Sequence, residues 1–179
     1  MTTQVLLLPG YQNSSENHWQ SLWERSHPNV LRVVQSDWEN PVCAQWYDTL
    51  MQHIMNHDGD IVIAAHSLGC LLTAELARRA PAEVLAKVKG ALLVAPPDPD
   101  GEAFPQSAQG FFPSTKASLP FPTLVIASDN DVYGSIEYAQ NCAAQWGSTL
   151  INIGSKGHIN SESGLGDWPQ GWAWIQAWL

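Results

Sequence analysis

Cysteine is scarce in this chain, with three among 179 residues, and none stands at Cys-x-x-Cys spacing. An odd, unpatterned set (Cys43, Cys70, Cys142) predicts neither a disulfide framework nor a zinc knuckle. Basic residues are few as well. Eight Lys and Arg against seventeen Asp and Glu give a net charge of −9. That balance disfavours a nucleic-acid partner, because phosphate backbones are bound by clustered cations. No block of like charge suggests an interaction tail. No apolar stretch approaches the length of a membrane span, so no membrane partner is expected. The start, Met1-Thr2-Thr3-Gln4, lacks the basic region and cleavage site of a secretion signal. These absences together predict a soluble, cytoplasmic protein. Charged residues make up only 14% and hydrophobic ones 45%, which fits a compact globule and argues against disorder. The length suits one domain, 1–179, with a sizeable core.

What is present is a series of short apolar runs alternating with helical patterns. Runs at Val5–Leu8, Val30–Val34, Ile61–Ile63, Ala91–Val94, Thr123–Ala127 and Leu150–Ile153 read as strands. Helices are expected at Trp19–Arg25, from Asn40-Pro41 to about Asp58, at Leu68–Arg79, around Glu83–Val88, at Ser135–Trp146, and from Trp168-Pro169 to Leu179. Asn40-Pro41 reads as a cap followed by Pro in the first turn. Strands that alternate with helices specify a mainly parallel sheet of about six strands covered on both faces, a three-layer α/β/α sandwich. In such sheets ligands sit beyond the carboxyl ends of the strands, where strand order reverses. If the first and third strands are neighbours there, the Pro9-Gly10-Tyr11 loop faces the turn at Ser67.

That turn is the centre of the chain. Ile61-Val62-Ile63-Ala64-Ala65-His66-Ser67-Leu68-Gly69 runs from an apolar strand through small-x-Ser-x-Gly into a helix rich in Leu and Ala. The pattern is that of a nucleophile elbow, which holds a serine in a strained conformation at a strand end. A serine hydroxyl is a weak nucleophile until a base takes its proton. Of six histidines, His158 stands in a Gly-rich loop after the last strand, at the carboxyl edge of the sheet, and is the candidate base. His66 should leave the turn in another direction. His18 and His27 read as structural, and His53 with His57, four apart on one helix, as an exposed polar face; no metal site is predicted.

A carboxylate must hold the imidazole in one tautomer. Asp131, just beyond the fifth strand, is the first choice, with Asp129 an alternative and Asp98 and Asp100 weaker ones. The chain order is then Ser67, Asp131, His158. Oxyanion donors are expected from the backbone N–H of Leu68 and of Tyr11, with Gln12 second. Gln12, Trp19, Phe111 and Phe112 are candidates to contact substrate, and the irregular stretch 96–122 is the candidate lid. The tryptophans of the terminal helix read as core packing, and Cys70 as a buried residue.

The segments Pro9-Gly10 … His18-Trp19, Ala65-His66-Ser67-Leu68-Gly69, Ser128-Asp129-Asn130-Asp131, Trp146-Gly147-Ser148, Gly157-His158-Ile159-Asn160 and Gly164-Leu165-Gly166-Asp167-Trp168-Pro169-Gln170-Gly171 resemble the small serine hydrolases of the retinoblastoma-binding-protein-9 and YdeN type. The resemblance spans nearly the whole chain. It implies a minimal α/β-hydrolase fold without a cap domain, and carries the catalytic serine, aspartate and histidine onto Ser67, Asp131 and His158. It further implies hydrolysis of small ester or amide substrates, esterase- or aminopeptidase-like, with no cofactor. A retinoblastoma-protein contact through Leu-x-Cys-x-Glu is not expected, because Leu68-Gly69-Cys70-Leu71-Leu72 lacks the Glu. A thioesterase or acyltransferase would use the same residues, and a binding module on the same fold would use none. The expected state is a monomer or small homo-oligomer.

Overall fold

The computed structural model describes residues 3–112 and 118–179. Met1-Thr2 and the middle of the long irregular stretch, 113–117, lie outside them, so the lid expectation falls partly outside the described residues.

Among the described residues six strands form one sheet: β1 (Gln4–Leu8), β2 (Val30–Arg32), β3 (Ile61–His66), β4 (Val88–Val94), β5 (Thr123–Ala127) and β6 (Thr149–Asn152). All neighbours pair in parallel, in the order β2-β1-β3-β4-β5-β6. Strand order reverses between β1 and β3, as the expected switch point requires. Alternate residues of each strand enter different cores. Leu6, Leu8, Ile63, Ala65, Leu93 and Val125 pack against α2 (Cys43–Met55), α3 (Leu68–Arg79) and α5 (Ile136–Trp146). Val5, Leu7, Val62, Ala64, Leu92 and Ile126 pack on the other face against α1 (Trp19–Ser26) and α6 (Pro169–Ile175). This period-two division of apolar runs buried on both sides makes the layers, because helices must cover each face. The remaining helix, α4 (Ala82–Leu85), is one short turn before β4.

Local signals account for both ends of α5. Ser135 caps α5 by accepting the Tyr138 N–H, and Gly147 closes it in the left-handed region at φ 69°, where a side chain is disfavoured. Trp46, Leu50 and Ile54, spaced by four, are fully buried along α2. The start of α2 departs from expectation. Asn40 bonds back to Asp37, and the capping position falls to Val42, which forms a parallel bridge to Gln109. Asp37 competes for the Asn40 side chain, so the loop and not a polar cap sets the helix start. The helix ends at Met55, so His57 lies beyond it and does not share a helical face with His53. The last helix stops at Ile175 and continues as a 3₁₀ turn, Gln176–Trp178.

Trp19 meets Trp23 and Trp168 edge-on in the second core, at centroid distances of 4.7 and 5.2 Å. Contacts of this kind add about 0.5–1.5 kcal/mol per pair beyond burial. Trp172, Trp174 and Trp178 are only half-buried. Among the described residues no helix is long and apolar enough to cross a membrane.

Candidate active site

Ser67 stands between β3 and α3 with φ 55° and ψ −122°, a backbone conformation that side-chain-bearing residues avoid and that surrounding structure must enforce. Two anchors enforce it. The Ser67 N–H donates to the Val94 carbonyl at 3.0 Å, and the Ser67 carbonyl accepts from Cys70 N–H at 2.9 Å. Behind the turn, α3 runs hard against β1: a Cβ on Gly69 would fall 2.1 Å from the Leu8 carbonyl oxygen. Only glycine permits that approach. Ala65, where such turns usually carry glycine, is fully buried between Leu8 and Leu93 and fits.

The loop after β1 covers the serine. A Cβ on Gly10 would fall 2.7 Å from Ser67 Cβ and 3.2 Å from the Leu68 nitrogen. The Gln12 N–H is spent on the Trp38 carbonyl at 3.0 Å. That removes the second-choice oxyanion donor, while the Tyr11 N–H has no hydrogen-bond acceptor among the described residues.

Three side chains distant in sequence meet at this rim. His158 Nε2 lies 2.9 Å from Ser67 Oγ, and its Nδ1 lies 2.8 and 2.9 Å from the two Asp131 oxygens. The carboxylate accepts, so Nδ1 carries the hydrogen and Nε2 is left to accept from the serine hydroxyl. Asp131 is 2% exposed at its side chain and His158 11%, so water competes little for the contact. Asp131 Oδ1 also accepts the Tyr133 N–H at 2.9 Å. Asp129 turns instead to the sheet edge, where it accepts from Asn152 Nδ2 at 2.6 Å. Asp98 accepts the Asp100 N–H. Only Asp131, of the four aspartates considered, reaches the imidazole. Chemically, the chain of bonds can move a proton from an alcohol to an imidazole and stabilise the cation that results.

A cavity of about 270 Å³ opens on Ser67 and His158, lined also by Tyr11, Gln12, Tyr133 and Asn160. Gln12 is thus part of the cavity wall. Three aromatic expectations need correction. Trp19 is 1% exposed within the second core, its indole N–H donating to the Ile159 carbonyl at 3.1 Å. Phe111 is 6% exposed and packs edge-on against Trp46 in the first core, while Phe112 is 74% exposed. The cause is that the stretch after β4 does not arch over the serine with its aromatics. Its Gln109 is stitched to Pro41 and Cys43, which carries Phe111 down into the core, and among the described residues of the stretch only Pro97 and Pro105 line the cavity.

Sequence reasoning missed Tyr133, whose ring lies 4.4 Å from that of His158; its place two residues after Asp131 was the available signal. Two further histidines are buried beside the serine: His18, read as structural, and His66, expected to leave the turn in another direction. His18 accepts the Gln20 N–H on Nδ1, and burial with help from the nearby Arg32 cation lowers its pKa to about 3. Burial holds the pKa of His66 well below the ordinary histidine value. Cys70 is buried with its thiol on the Val94 carbonyl, and burial pushes its pKa up, which suits packing and not nucleophilic attack. No group of three or more His, Cys, Asp or Glu that could hold a metal occurs among the described residues.

The chain is similar to known proteins along nearly its whole length. YdeN of Bacillus subtilis (strain 168), a hydrolase by name, is 29% identical over 181 residues, covering 94% of this chain and 92% of YdeN. The crystal structure of a protein called a YdeN-like hydrolase, from Pectobacterium atrosepticum, matches with a TM-score of 0.86 and 29% identity, over 99% of this chain and 90% of that one. An α/β superfamily hydrolase from Oenococcus oeni matches with a TM-score of 0.68 over 99% of this chain and 92% of its own. At 12% identity that likeness speaks for the α/β-hydrolase fold alone. The family model described as serine hydrolase matches residues 5–177. The chain belongs to that serine hydrolase family and is a hydrolase.

Proposed function

We propose that the protein cleaves ester or amide bonds of small substrates through an acyl-enzyme on Ser67. Ser67 Oγ attacks the substrate carbonyl carbon while its proton passes to His158 Nε2. Asp131 holds the imidazole in the required tautomer and stabilises the imidazolium. The carbonyl oxygen, now an anion, takes hydrogen bonds from the N–H groups of Leu68 and Tyr11. His158 returns its proton to the departing oxygen or nitrogen as that bond breaks, leaving the acyl group on Ser67. Water then attacks the acyl carbon with His158 as base, and the acid leaves with Ser67 restored.

The observation that carries this reading is the 2.9 Å contact from Ser67 Oγ to an imidazole whose other nitrogen faces a buried carboxylate. The cavity volume, about 270 Å³, is at the lower edge of ordinary ligand sites and suits small acyl groups. A second, more open hollow of about 640 Å³ shares Tyr133, His158 and Asn160 with it and offers room for a leaving group. Labelling with a fluorophosphonate tests the proposal: wild type should be modified at Ser67 and Ser67→Ala should not. Unlabelled wild type, or equal labelling of both, would count against it. Hydrolysis of p-nitrophenyl acetate should be lost in parallel.

A further inference from the structure

Two buried rings that touch no reacting atom in this scheme both end on the segment that carries His158. His66 Nε2 lies 2.8 Å from the His158 carbonyl oxygen. Trp19 Nε1–H donates to the next carbonyl, that of Ile159, at 3.1 Å. The His66 ring is uncharged because burial disfavours its cation. With a carbonyl as partner, its hydrogen must sit on Nε2. Its ring also lies edge-on to the equally uncharged His18 ring at 4.6 Å and faces the rings of His158 at 4.8 Å and Trp19 at 6.3 Å.

The segment they hold is strained. Ile159 has φ 51°, and a β-branched residue in that region costs about 1–3 kcal/mol, persisting only where its surroundings over-determine it. The leading half of the segment is fixed from the end of β5, by Lys156 N–H to Ser128 Oγ at 2.8 Å and Gly157 N–H to Asn130 Oδ1 at 2.7 Å. The trailing half is fixed from β3 and α1, by His66 and Trp19. His66 is also the chain neighbour of Ser67, so a closed circuit forms: one peptide link from Ser67 to His66, a bond to the His158 carbonyl, and a bond from the His158 ring back to Ser67. A base on a strained loop that is tied to the nucleophile's own peptide cannot drift from it without breaking a largely shielded hydrogen bond.

Building on the proposed roles of Ser67 and His158, we propose that His66 and Trp19 are positioning residues. They clamp consecutive carbonyls of the His158–Ile159 segment and thereby set the distance from the base to the nucleophile. Trp19 lies outside the cavity that opens on Ser67, and His66 contributes only to its wall beside the serine while its Nε2 is spent on the His158 carbonyl, so loss of the clamp should appear in kcat far more than in KM. A misplacement of about 1 Å can cost on the order of 10²-fold in rate.

The test measures kcat and KM for p-nitrophenyl acetate in His66→Phe, His66→Gln and Trp19→Phe, with folding checked by near-ultraviolet circular dichroism. His66→Phe, which keeps a ring but loses the donor, should lower kcat about 10²-fold with KM within about threefold of wild type. His66→Gln restores an amide donor near the position of Nε2 and should recover at least about tenfold of that loss. Trp19→Phe should lower kcat about tenfold at unchanged KM. A folded His66→Phe with wild-type kcat, or one whose loss lies in KM, overturns the clamp. If His66→Phe does not fold, Trp19→Phe decides: an unchanged kcat in that folded variant overturns it. Failure of wild type to take the fluorophosphonate would instead sink the parent reading, so the two failures are separable.

Discussion

Replacing Gly10 with alanine would put a methyl group against the proposed nucleophile. The added carbon would lie 2.7 Å from Ser67 Cβ, 3.1 Å from Ser67 Oγ and 3.2 Å from the Leu68 nitrogen. Carbon atoms in optimal contact sit about 3.5–4.0 Å apart, so the overlap with Ser67 approaches an ångström. Ser67 has little freedom to yield, because its backbone is already strained and both its N–H and its carbonyl are bonded. Gly10 itself is not among the glycines of the left-handed region, so alanine suits the backbone and the penalty is steric. Overpacking of this kind costs about 1–3 kcal/mol, which for a chain of this size lowers Tm by about 2–12 °C. The fold should survive. Activity should not, since the methyl group pushes on the serine and crowds the Leu68 N–H. Losing one oxyanion donor costs about 10²–10³-fold in kcat, and we expect a fall of at least that size for p-nitrophenyl acetate. A folded Gly10→Ala enzyme with kcat/KM within about threefold of wild type would refute the reasoning that this loop lies over the serine. Gly69→Ala makes the contrast, because its clash is with the Leu8 carbonyl at 2.1 Å, backbone on backbone. There α3 must leave β1, and the expected outcome is insoluble or unfolded protein.

Asp131→Asn should keep the fold and reduce kcat by about 10⁴-fold, by analogy with the same change in other serine enzymes, because an amide no longer selects the required imidazole tautomer; a near-normal rate would remove Asp131 from the mechanism. Acid should destabilise the protein through His18 and His66. Unfolded, each binds a proton near pH 6.5, whereas folded His18 does so only near pH 3 and folded His66 well below 6.5. The unfolded state therefore holds more protons in that window. Stability is full above about pH 6.5 and falls as pH drops, by up to about 1.4 kcal/mol per unit for each histidine. Calorimetry from pH 7 to 4.5 should show this slope, and His18→Asn, which keeps an acceptor for the Gln20 N–H, should flatten it by about half; a level Tm would refute it. Phe111→Ala should cost about 3–5 kcal/mol through the cavity it leaves, while Phe112→Ser should change stability by no more than about 0.5 kcal/mol. Urea titration of both variants, with KM unchanged in each, checks that neither ring meets substrate.

The strands and the turn at Ser67 were legible because their determinants are local. An apolar run between turn residues can hardly be anything but a buried strand here, and α3 begins and ends where composition says. Ser135 and Gly147 mark the ends of α5 through caps that act within one turn. Asn40-Pro41 failed as a helix start because Asp37, three residues away, offered Asn40 a better partner. Trp19 and Phe111 were misplaced for a longer-range reason: whether an aromatic faces a cavity or a core depends on which element covers it. Trp168 and Ile159 cover Trp19, and Trp46 covers Phe111. None of these partners is near its ring in sequence.

The amino-acid order determined which residues could do chemistry and on which end of the sheet they stand, since strand period, elbow spacing and loop composition are short-range properties. Packing alone decided the distances. Asp131 rather than Asp129 meets the imidazole because Asn152 on the next strand draws Asp129 away. Tyr11 rather than Gln12 keeps an N–H without an acceptor among the described residues, because Trp38 claims the other. His66, dismissed when read along the chain, bonds across 92 positions to the His158 carbonyl. Hydrogen-bond geometry falls off within tenths of an ångström, and only the closed three-dimensional frame fixes positions that finely.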